Sequence, residues 1–370
     1  MIKKRKFRTL LSLSVIPVAL LGLANFEAVR SFSALSYLAL IKKPILVGAL
    51  SQSPESFAQQ NASIFKEGAG TLHINEGVWD IDQPLIIDGP LTISAGTTLN
   101  LAPNSYIIVR GALTAIGTDT SPIILQGKTG QLWKGIYVYE AKDVSQLKNV
   151  VITNTNALVD GYLQLTGGTT FYKSDVTMED TAFNHSEAED GLNIINSNFT
   201  LNDTHFDDMH SDALDSDYSQ GDIKGSKFNA IGGDAIDLSE TKSWVRNPYI
   251  YNVHDKAISA GENSTVNVIG GYVKSVGVAA AAKDGSVLEI VGTRIEDVAL
   301  FGLMTYVKKS SYSYPTLNAH SLDWAGKSPK GGNNNWIRQE NTVLTIDGNE
   351  VPEKIIDVKA LYKGAVMSKS

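Results

Sequence analysis

Hydrophobic and polar positions repeat at a constant spacing in the middle of the chain. Segments of similar sequence begin 22 residues apart, at Asp190, Asp212, Asp234 and Lys256. Within them apolar and polar residues alternate, which is typical of strands and not of amphipathic helices. A second apolar series keeps the same spacing, with Phe206, Phe228, Ile250 and Tyr272. Short strands at this period predict a β-solenoid, whose coils stack and share one core.

The alternation assigns the side chains of each strand to two opposite faces. Along the strand that begins at Asp234, Ile236 and Leu238 face the core and Asp237 faces outward. The same register stacks the equivalent apolar residues of the neighbouring coils on Ile236, namely Leu192, Leu214, Ile258 and Ala280.

The first fifty residues carry a different pattern. A basic start at residues 1–8 precedes an apolar run over residues 10–24, which is the layout of a secretory signal or an uncleaved anchor. A second apolar stretch over residues 32–50 is either a membrane-lying segment or a helix packed on the end of the solenoid. Both alternatives predict export to a periplasmic or extracellular face, with residues 10–24 as the candidate anchor in the inner membrane.

Three regions follow from these patterns. We predict a signal or anchor with an apolar helical segment over residues 1–50, a capping helix over residues 51–69, and the β-helix with its C-terminal cap over residues 70–370. The capping helix is amphipathic from Ser53 to Glu67 and covers the unpaired strand edges of the first coil. At the other end, residues 343–346 followed by Asp347 and Gly348 predict a final hairpin or strand.

Composition excludes several classes of function. The formal net charge of −7 disfavours nucleic acid as a partner, because phosphate binding needs a basic surface. The absence of cysteine excludes a disulfide scaffold, a thiolate zinc site and a cysteine nucleophile. The histidines do not have the spacing of a zinc motif.

Parts of the chain resemble a known group of proteins. Residues 91–105, 109–118 and 122–125 look like the opening coils of bacterial right-handed parallel β-helix repeat proteins. The Asp-Ala-Ile-Asp coils and residues 344–352 are similar to the β-helix modules associated with spore-coat-H-like kinase proteins of bacterial envelopes. The resemblance covers most of residues 70–365 and implies an all-β, single-stranded, pectate-lyase-like parallel β-helix. Enzymes of this fold act on polysaccharides, but their Asp-Pro-His and Gly-His-Gly motifs are absent here, so the fold alone assigns no reaction.

The outward positions of neighbouring coils form an acidic patch. Asp215 and Asp237 occupy the same position one coil apart, on strands that stack roughly 4.8 Å from each other. Two carboxylates this close resist joint ionisation, so one pKa rises unless a cation neutralises the pair. Asp217 lies two residues along the same strand face. The candidate site also includes nearby residues of the same coils: Asn193, His210, Asp212 and Asp234.

Three interpretations of this patch stay open. Its oxygen-only side chains suit Ca²⁺, with Asp215, Asp217 and Asp237 as ligands. Alternatively, a protonated aspartate beside an ionised one performs acid–base catalysis on a glycosidic bond, and the catalytic candidates are Asp215, Asp237, Asp212 and Asp234. In the third interpretation the carboxylates are soluble turns and faces that discourage aggregation of strand edges.

Two further residues are ligand-binding candidates. Lys256 occupies the turn position after Asp234 and offers the base that a lyase or epimerase needs, although a charge pair with Asp234 is the alternative. Trp324 either stacks on a sugar ring or belongs to an irregular coil that completes the core.

These features predict an exported, membrane-tethered β-helix that binds, and in one version modifies, a cell-envelope polysaccharide. One alternative is a non-catalytic scaffold solenoid with an envelope protein as its partner. The other is a polysaccharide lyase, hydrolase or epimerase. Calcium is the one cofactor that the residues suggest.

Overall fold

The computed structural model describes residues 51–161, 163–326 and 336–362. The predicted signal or anchor over residues 1–50, including the apolar run 10–24, lies outside the described residues. The chain divides into two compact units, residues 1–48 with 159–165 and residues 49–158 with 166–370. In the part that is described, no helix combines the length and the apolar character needed to cross a membrane.

The described elements are almost all strands. In chain order they are α1 (Pro54–Gln60), β1 (Phe65–Gly68), β2 (Thr71–Ile74), β3 (Gly77–Ile81), β4 (Leu85–Ile87), β5 (Leu91–Ile93), β6 (Thr97–Leu101), β7 (Ile107–Val109), β8 (Leu113–Ile116), β9 (Ile123–Gly127), a short 3-10 helix (Lys128–Gly130), β10 (Ile136–Tyr139) and β11 (Ser145–Thr155). They continue with β12 (Leu158–Asp160), β13 (Leu163–Leu165), β14 (Gly167–Tyr172), β15 (Val176–Ser186), β16 (Asp190–Ile195), β17 (Asn198–Asn202), β18 (His205–Met209), β19 (Asp212–Asp217), β20 (Gln220–Lys224), β21 (Lys227–Ile231) and β22 (Ile236–Ser239). The last are β23 (Lys242–Arg246), β24 (Tyr249–Gly261), β25 (Thr265–Ile269), β26 (Tyr272–Lys283), β27 (Val287–Val291), β28 (Arg294–Tyr306), β29 (Thr316–His320), β30 (Asp323–Ala325), β31 (Trp336–Arg338), β32 (Val343–Ile346), β33 (Asn349–Glu350) and α2 (Val358–Leu361).

The second unit is a parallel β-helix of about 12 coils with about 23 residues per coil, which confirms the predicted fold class. The first of its three parallel sheets contains β4, β7, β10, β14, β16, β19, β22, the C-terminal parts of β24, β26 and β28, and β31. The second contains β2, β5, β8, the N-terminal parts of β11 and β15, and then β17, β20, β23, β25, β27, β29 and β32. The third contains β3, β6, β9, the C-terminal parts of β11 and β15, β18, β21, the N-terminal parts of β24, β26 and β28, and β30. Separately, β12 and β13 form a two-stranded sheet.

The core is built from apolar residues that repeat from coil to coil. The predicted stack is confirmed, because its members pair in register and are all 0% exposed: Leu192, Leu214, Ile236, Ile258 and Ala280. In the third sheet the rings of Phe183, Phe206 and Phe228 stack with centroids 5.0 and 4.9 Å apart. Each coil thus buries its apolar face only against the coils above and below it.

The predicted position of one member of the second apolar series, Tyr272, is wrong. Ile250 pairs with Val273, whereas Tyr272 pairs with Tyr249 on the outward side of the third sheet. The cause is one extra residue in the turn after Gly261. The strands before that turn, β22 and β24, pair at a 22-residue step, but β23 and β25, which follow it, pair at a 23-residue step.

The N-terminal cap also differs from the prediction over residues 53–67. The helix is only α1, and β1 then pairs antiparallel with β2. Asn61 ends the helix, because its backbone N–H caps the Phe57 carbonyl and its side-chain oxygen accepts the Ser63 N–H at 3.2 Å. The Phe57 and Phe65 rings, with centroids 5.4 Å apart, join the helix to β1.

The C-terminal end confirms the predicted hairpin, since β32 and β33 pair antiparallel. Asp347 and Gly348 both have positive φ (50° and 77°), as a two-residue hairpin turn requires. The tail with α2 then packs on the outward face of the first sheet, where Leu361 and Tyr362 contact a buried cluster that includes Ala281 and Met304. The outward positions that are acidic in earlier coils are therefore apolar in the last ones.

Candidate functional site

The acidic patch predicted from the sequence lies on the outward face of the first sheet. Asp215 pairs in register with Asp237 on the next coil and with Asn193 on the previous one. The Asn193 amide donates to Asp215 Oδ2 at 2.9 Å and to Asp190 Oδ2 at 3.2 Å. Asp215 and Asp237 are half-buried, whereas Ser259, which follows Asp237 in the same row, is buried. We call Asn193, Asp215, Asp237 and Ser259 the acidic column.

Two carboxyls at the column have strongly shifted pKa values. Burial raises the pKa of Asp217, which is 8% exposed, to about 7, and the negative charge of Asp237 adds to the increase. Burial also raises the pKa of Asp215 well above its usual range, with the charge of Asp217 as the next cause. Both carboxyls therefore hold a proton at pH values where an exposed aspartate is ionised.

Asp237 has a cationic partner two coils away. The Lys283 ammonium lies 3.4 Å from Asp237 Oδ1, and the lysine is only 5% exposed. Gly261 provides the space on the intervening coil, because a Cβ there would lie 3.1 Å from Ser239 Oγ and 3.4 Å from Lys283 Cε. Burial acts to lower the pKa of Lys283, but the charge of Asp237 and other nearby acids raises it well above its ordinary value.

A second ion pair closes this end of the site. Glu262 accepts a hydrogen bond from Ser239 Oγ at 2.5 Å and pairs with Lys309. Burial acts to raise the pKa of Glu262, but the charge of Lys283 and the hydrogen bonds from Lys309 and Ser239 outweigh it and lower the pKa. An acid that holds a proton (Asp217) and an acid that has lost its proton (Glu262) therefore lie on opposite sides of Ser239.

The predicted turn residues Asp212 and Asp234 serve the stacking of the coils. Asp212 Oδ1 accepts the Asp234 N–H at 2.7 Å, and Asp234 Oδ1 accepts the Lys256 N–H at 2.9 Å. The Lys256 ammonium lies 3.1 Å from Asp234 and 2.6 Å from Asp255. These contacts favour the interpretation of Lys256 as a charge pair over its interpretation as a base.

The protonation of Lys256 supports the same conclusion. The residue is 2% exposed. Burial acts to lower the pKa of Lys256, but the charge of Asp234 above all raises it beyond its ordinary value. A lysine that acts as a base needs a lowered pKa, so this one is poorly suited to abstract a proton. Burial also raises the pKa of Asp255 to about 7, with the charge of Asp234 as the second cause.

Two predicted site residues lie apart from the column. His210 is exposed in the turn before β19, and its Nδ1 lies 3.4 Å from Glu187. Trp324 pairs with the fully buried Ile295 and packs partly buried against the core, which favours the core-filling interpretation.

The described residues contain no group of three or more histidine, aspartate or glutamate side chains arranged to hold a metal ion. The calcium site predicted at Asp215, Asp217 and Asp237 therefore stays a prediction. Its measurement is a titration of the melting temperature with Ca²⁺, which should rise if the folded state binds the ion.

The sequence pattern did not predict several residues of the site, namely Lys283, Glu262, Lys309 and Asp255. For Lys283 there is a structural signal, which is visible only once the register is known. Gly261 interrupts a row of side chains between Ser239 and Lys283, and such a gap permits a long side chain to fold back over it.

Comparison with known proteins identifies no family. No protein-family model matches the chain, and no curated protein sequence matches it. Among solved structures, the catalytic domain of a GH87 α-1,3-glucanase in complex with nigerose is 12% identical, with a TM-score of 0.42 over 70% of this chain and 64% of that domain. The chain thus spans less than two thirds of the glucanase domain.

Two further solved structures are similar at the same low level. The alginate lyase from Paenibacillus sp. FPU-7 is 14% identical, with a TM-score of 0.34 over 64% of this chain and 92% of that chain. A double mutant of the periplasmic alginate epimerase AlgG is 10% identical, with a TM-score of 0.39 over 75% and 85%. Likeness at this level carries no information on activity, and no specific family is identified.

Proposed function

We propose that the β-helix binds a polysaccharide across the acidic column and cleaves a glycosidic bond there by acid–base catalysis. One observation carries the proposal. Two carboxyls on neighbouring coils lie in different environments, because burial raises the pKa of Asp217 to about 7 while the Lys283 ammonium lies 3.4 Å from Asp237. Pairs of titratable groups whose environments separate their protonation states are typical of acid–base sites.

The positions of these carboxyls on neighbouring strands are compatible with hydrolysis. Asp217 and Asp237 lie diagonally across neighbouring strands. A strand spacing of roughly 4.8 Å and a two-residue step of roughly 6.6 Å place their Cα atoms roughly 8 Å apart. Inverting glycosidases hold their carboxyl groups roughly 6.5–9.5 Å apart, which leaves room for the attacking water, so the proposal requires the two side chains to keep a separation close to that of their Cα atoms. In the proposed reaction Asp217 donates its proton to the leaving oxygen and Asp237 takes a proton from the water.

Neither Lys256 nor Lys283 suits the role of base in the lyase and epimerase alternatives. They need a lysine, arginine or histidine in its unprotonated form, which takes a proton from the sugar. Lys256 and Lys283 are buried beside carboxylates that raise the pKa of each, so both stay charged.

We expect Asp217→Asn to lower the turnover of a cleaved polysaccharide by at least about 10²-fold, because the variant has no proton to donate. In the wild type, turnover should fall as the pH rises through about 7, where Asp217 loses its proton. The measurement is the release of reducing ends from a panel of neutral and acidic polysaccharides, with unsaturated products followed in parallel to reveal any lyase.

Asp180→Asn is the matched control, because Asp180 is exposed and its positive φ (46°) is one that asparagine also adopts. It should keep full turnover. Wild-type turnover in Asp217→Asn would refute the assignment of the acid. Binding without any turnover in the wild type would favour the scaffold alternative.

The cellular setting of the proposal rests on the N-terminal pattern. A basic start followed by the apolar run 10–24 supports export and tethering to a membrane. A polysaccharide of the cell envelope is then the substrate that the protein meets. Fractionation of cells that express the full chain tests this, and a cytoplasmic location would contradict it.

A further inference from the structure

A groove with a different chemistry lies on the outward face of the second sheet. Its volume is about 560 Å³, within the usual range for ligand sites. Trp244 lines it and keeps 43% of its surface exposed, which is unusual for a tryptophan. The other lining side chains are mostly uncharged and polar, and they include Asn198, Gln220, Thr265 and Asn267.

The indole is held in place by its neighbours. Asp222 precedes Trp244 in register on the previous coil. The Asp222 carboxylate accepts a hydrogen bond from Arg246 at 2.9 Å, and the Arg246 guanidinium lies 5.0 Å from the centre of the Trp244 ring. This chain of contacts fixes the exposed ring before any ligand arrives, which lowers the entropic cost of binding.

The sign of the charge distinguishes this groove from the acidic column. Lys224, Lys242 and Arg246 face outward beside Trp244, and Asp222 is the acid among them. No acidic side chain of the described residues forms an ion pair with Lys242, which is exposed. The charged residues that line the groove are therefore two basic ones, Lys242 and Arg246, and one acidic one, Asp222, on a chain whose net charge is −7.

A second depression follows around the corner between the second and third sheets. Its volume is about 490 Å³, and it is lined by Tyr249, Tyr272 and Arg294. Tyr249 is 51% exposed. Arg246 of the groove and Tyr249 of this depression are three residues apart in the chain, so both depressions lie on the same coil and each presents an exposed aromatic ring.

We propose that the groove around Trp244 binds an acidic polysaccharide, with one sugar ring stacked on the indole and the acidic groups of the chain near Lys242. Aromatic faces match the apolar face of a sugar ring. Side-chain amides match its hydroxyl groups, and the exposed ammonium matches its carboxylates. This binding does not depend on the acidic column, which lies on another sheet.

The probes are fluorescent oligogalacturonates, uncharged cello-oligosaccharides and a single-stranded oligonucleotide, titrated with the full chain by fluorescence polarisation. We expect the oligogalacturonate to bind, and Trp244→Ala to raise its Kd by at least about tenfold. Trp244→Phe should keep most of the affinity. Lys242→Gln should raise the Kd by about threefold or more at low salt and reduce its dependence on salt.

Tyr251→Ala is the matched control, because Tyr251 is an exposed aromatic residue on the third sheet outside both depressions. It should bind as the wild type does, and all variants should keep the wild-type melting temperature. The proposal is overturned if Trp244→Ala binds normally, if the wild type binds none of the probes, or if it prefers the neutral sugar or the oligonucleotide. Asp217→Asn should keep this binding, and Trp244→Ala should keep the turnover of short substrates, so that the two proposals can fail separately.

Discussion

Lys256→Met should lower the free energy of unfolding by about 3–5 kcal/mol, because it leaves a buried carboxylate without its cation. The ammonium lies between Asp234 and Asp255 at 3.1 and 2.6 Å, and its side chain is 3% exposed. Methionine keeps most of the side-chain volume, so the loss of stability comes from the missing charge and not from a cavity. Urea unfolding at neutral pH measures the change.

Lys148→Met is the matched control for this substitution. Lys148 pairs with Glu179 at 2.7 Å, but both side chains are more than 40% exposed. Solvent screens such a pair, and its removal should change the free energy of unfolding by at most about 1 kcal/mol. A loss of similar size in the two variants would show that the Lys256 pairs contribute no more than a surface contact.

The sequence predicts the β-helix because one coil repeats the hydrophobic pattern of the next. The register of Leu214 with Ile236 follows directly from the 22-residue spacing and is confirmed. Tyr272 was misplaced because an extra residue in a turn changes the step without changing the pattern of the strands around it. The helix over residues 53–67 was too long because the side chain of Asn61 competes for backbone N–H groups, which hydrophobic periodicity does not reveal.

The candidate site was predictable only in part. Outward positions one period apart must be neighbours, and this places Asp215 beside Asp237. The lysines that pair with these carboxylates are harder to predict from the sequence, because their long side chains reach across coils. Lys283 contacts a residue two coils away, and this contact depends on the missing side chain of Gly261. The shifted pKa of Asp217 depends on burial, which the sequence pattern does not give for an outward position.

The C-terminal tail limits where a ligand can reach the first sheet. The row that begins with Asp215 and Asp237 continues through Ser259 to Ala281 and Met304, which are 0% exposed. The tail covers these last positions with Leu361 and Tyr362. On this side of the row, a ligand therefore reaches no further than the coils of Asp215 and Asp237, where the side chains are still half-buried.

The free energy of unfolding should depend on pH through the ionisation of Asp217. Its pKa is about 7 in the folded chain and about 3.9 when unfolded. Between these values the folded state binds more protons, so the free energy of unfolding falls as the pH rises through this window. Well below about pH 3.9 the residue is protonated in both states and no longer contributes to the pH dependence of the free energy of unfolding.

Asp217→Asn removes the ionisation and should stabilise the protein at pH 8 by roughly 2–4 kcal/mol, with little effect at pH 4. Unfolding in urea at both pH values measures this, with Asp180→Asn as the exposed control that should be neutral at each. An equal gain at both pH values would mean that asparagine packs better and that no proton is involved. The predicted combination, a variant that is more stable at pH 8 but inactive, is expected of a residue kept in an unfavourable environment for catalysis. A gain in stability with full activity would instead leave Asp217 as a buried acid without a role in the reaction.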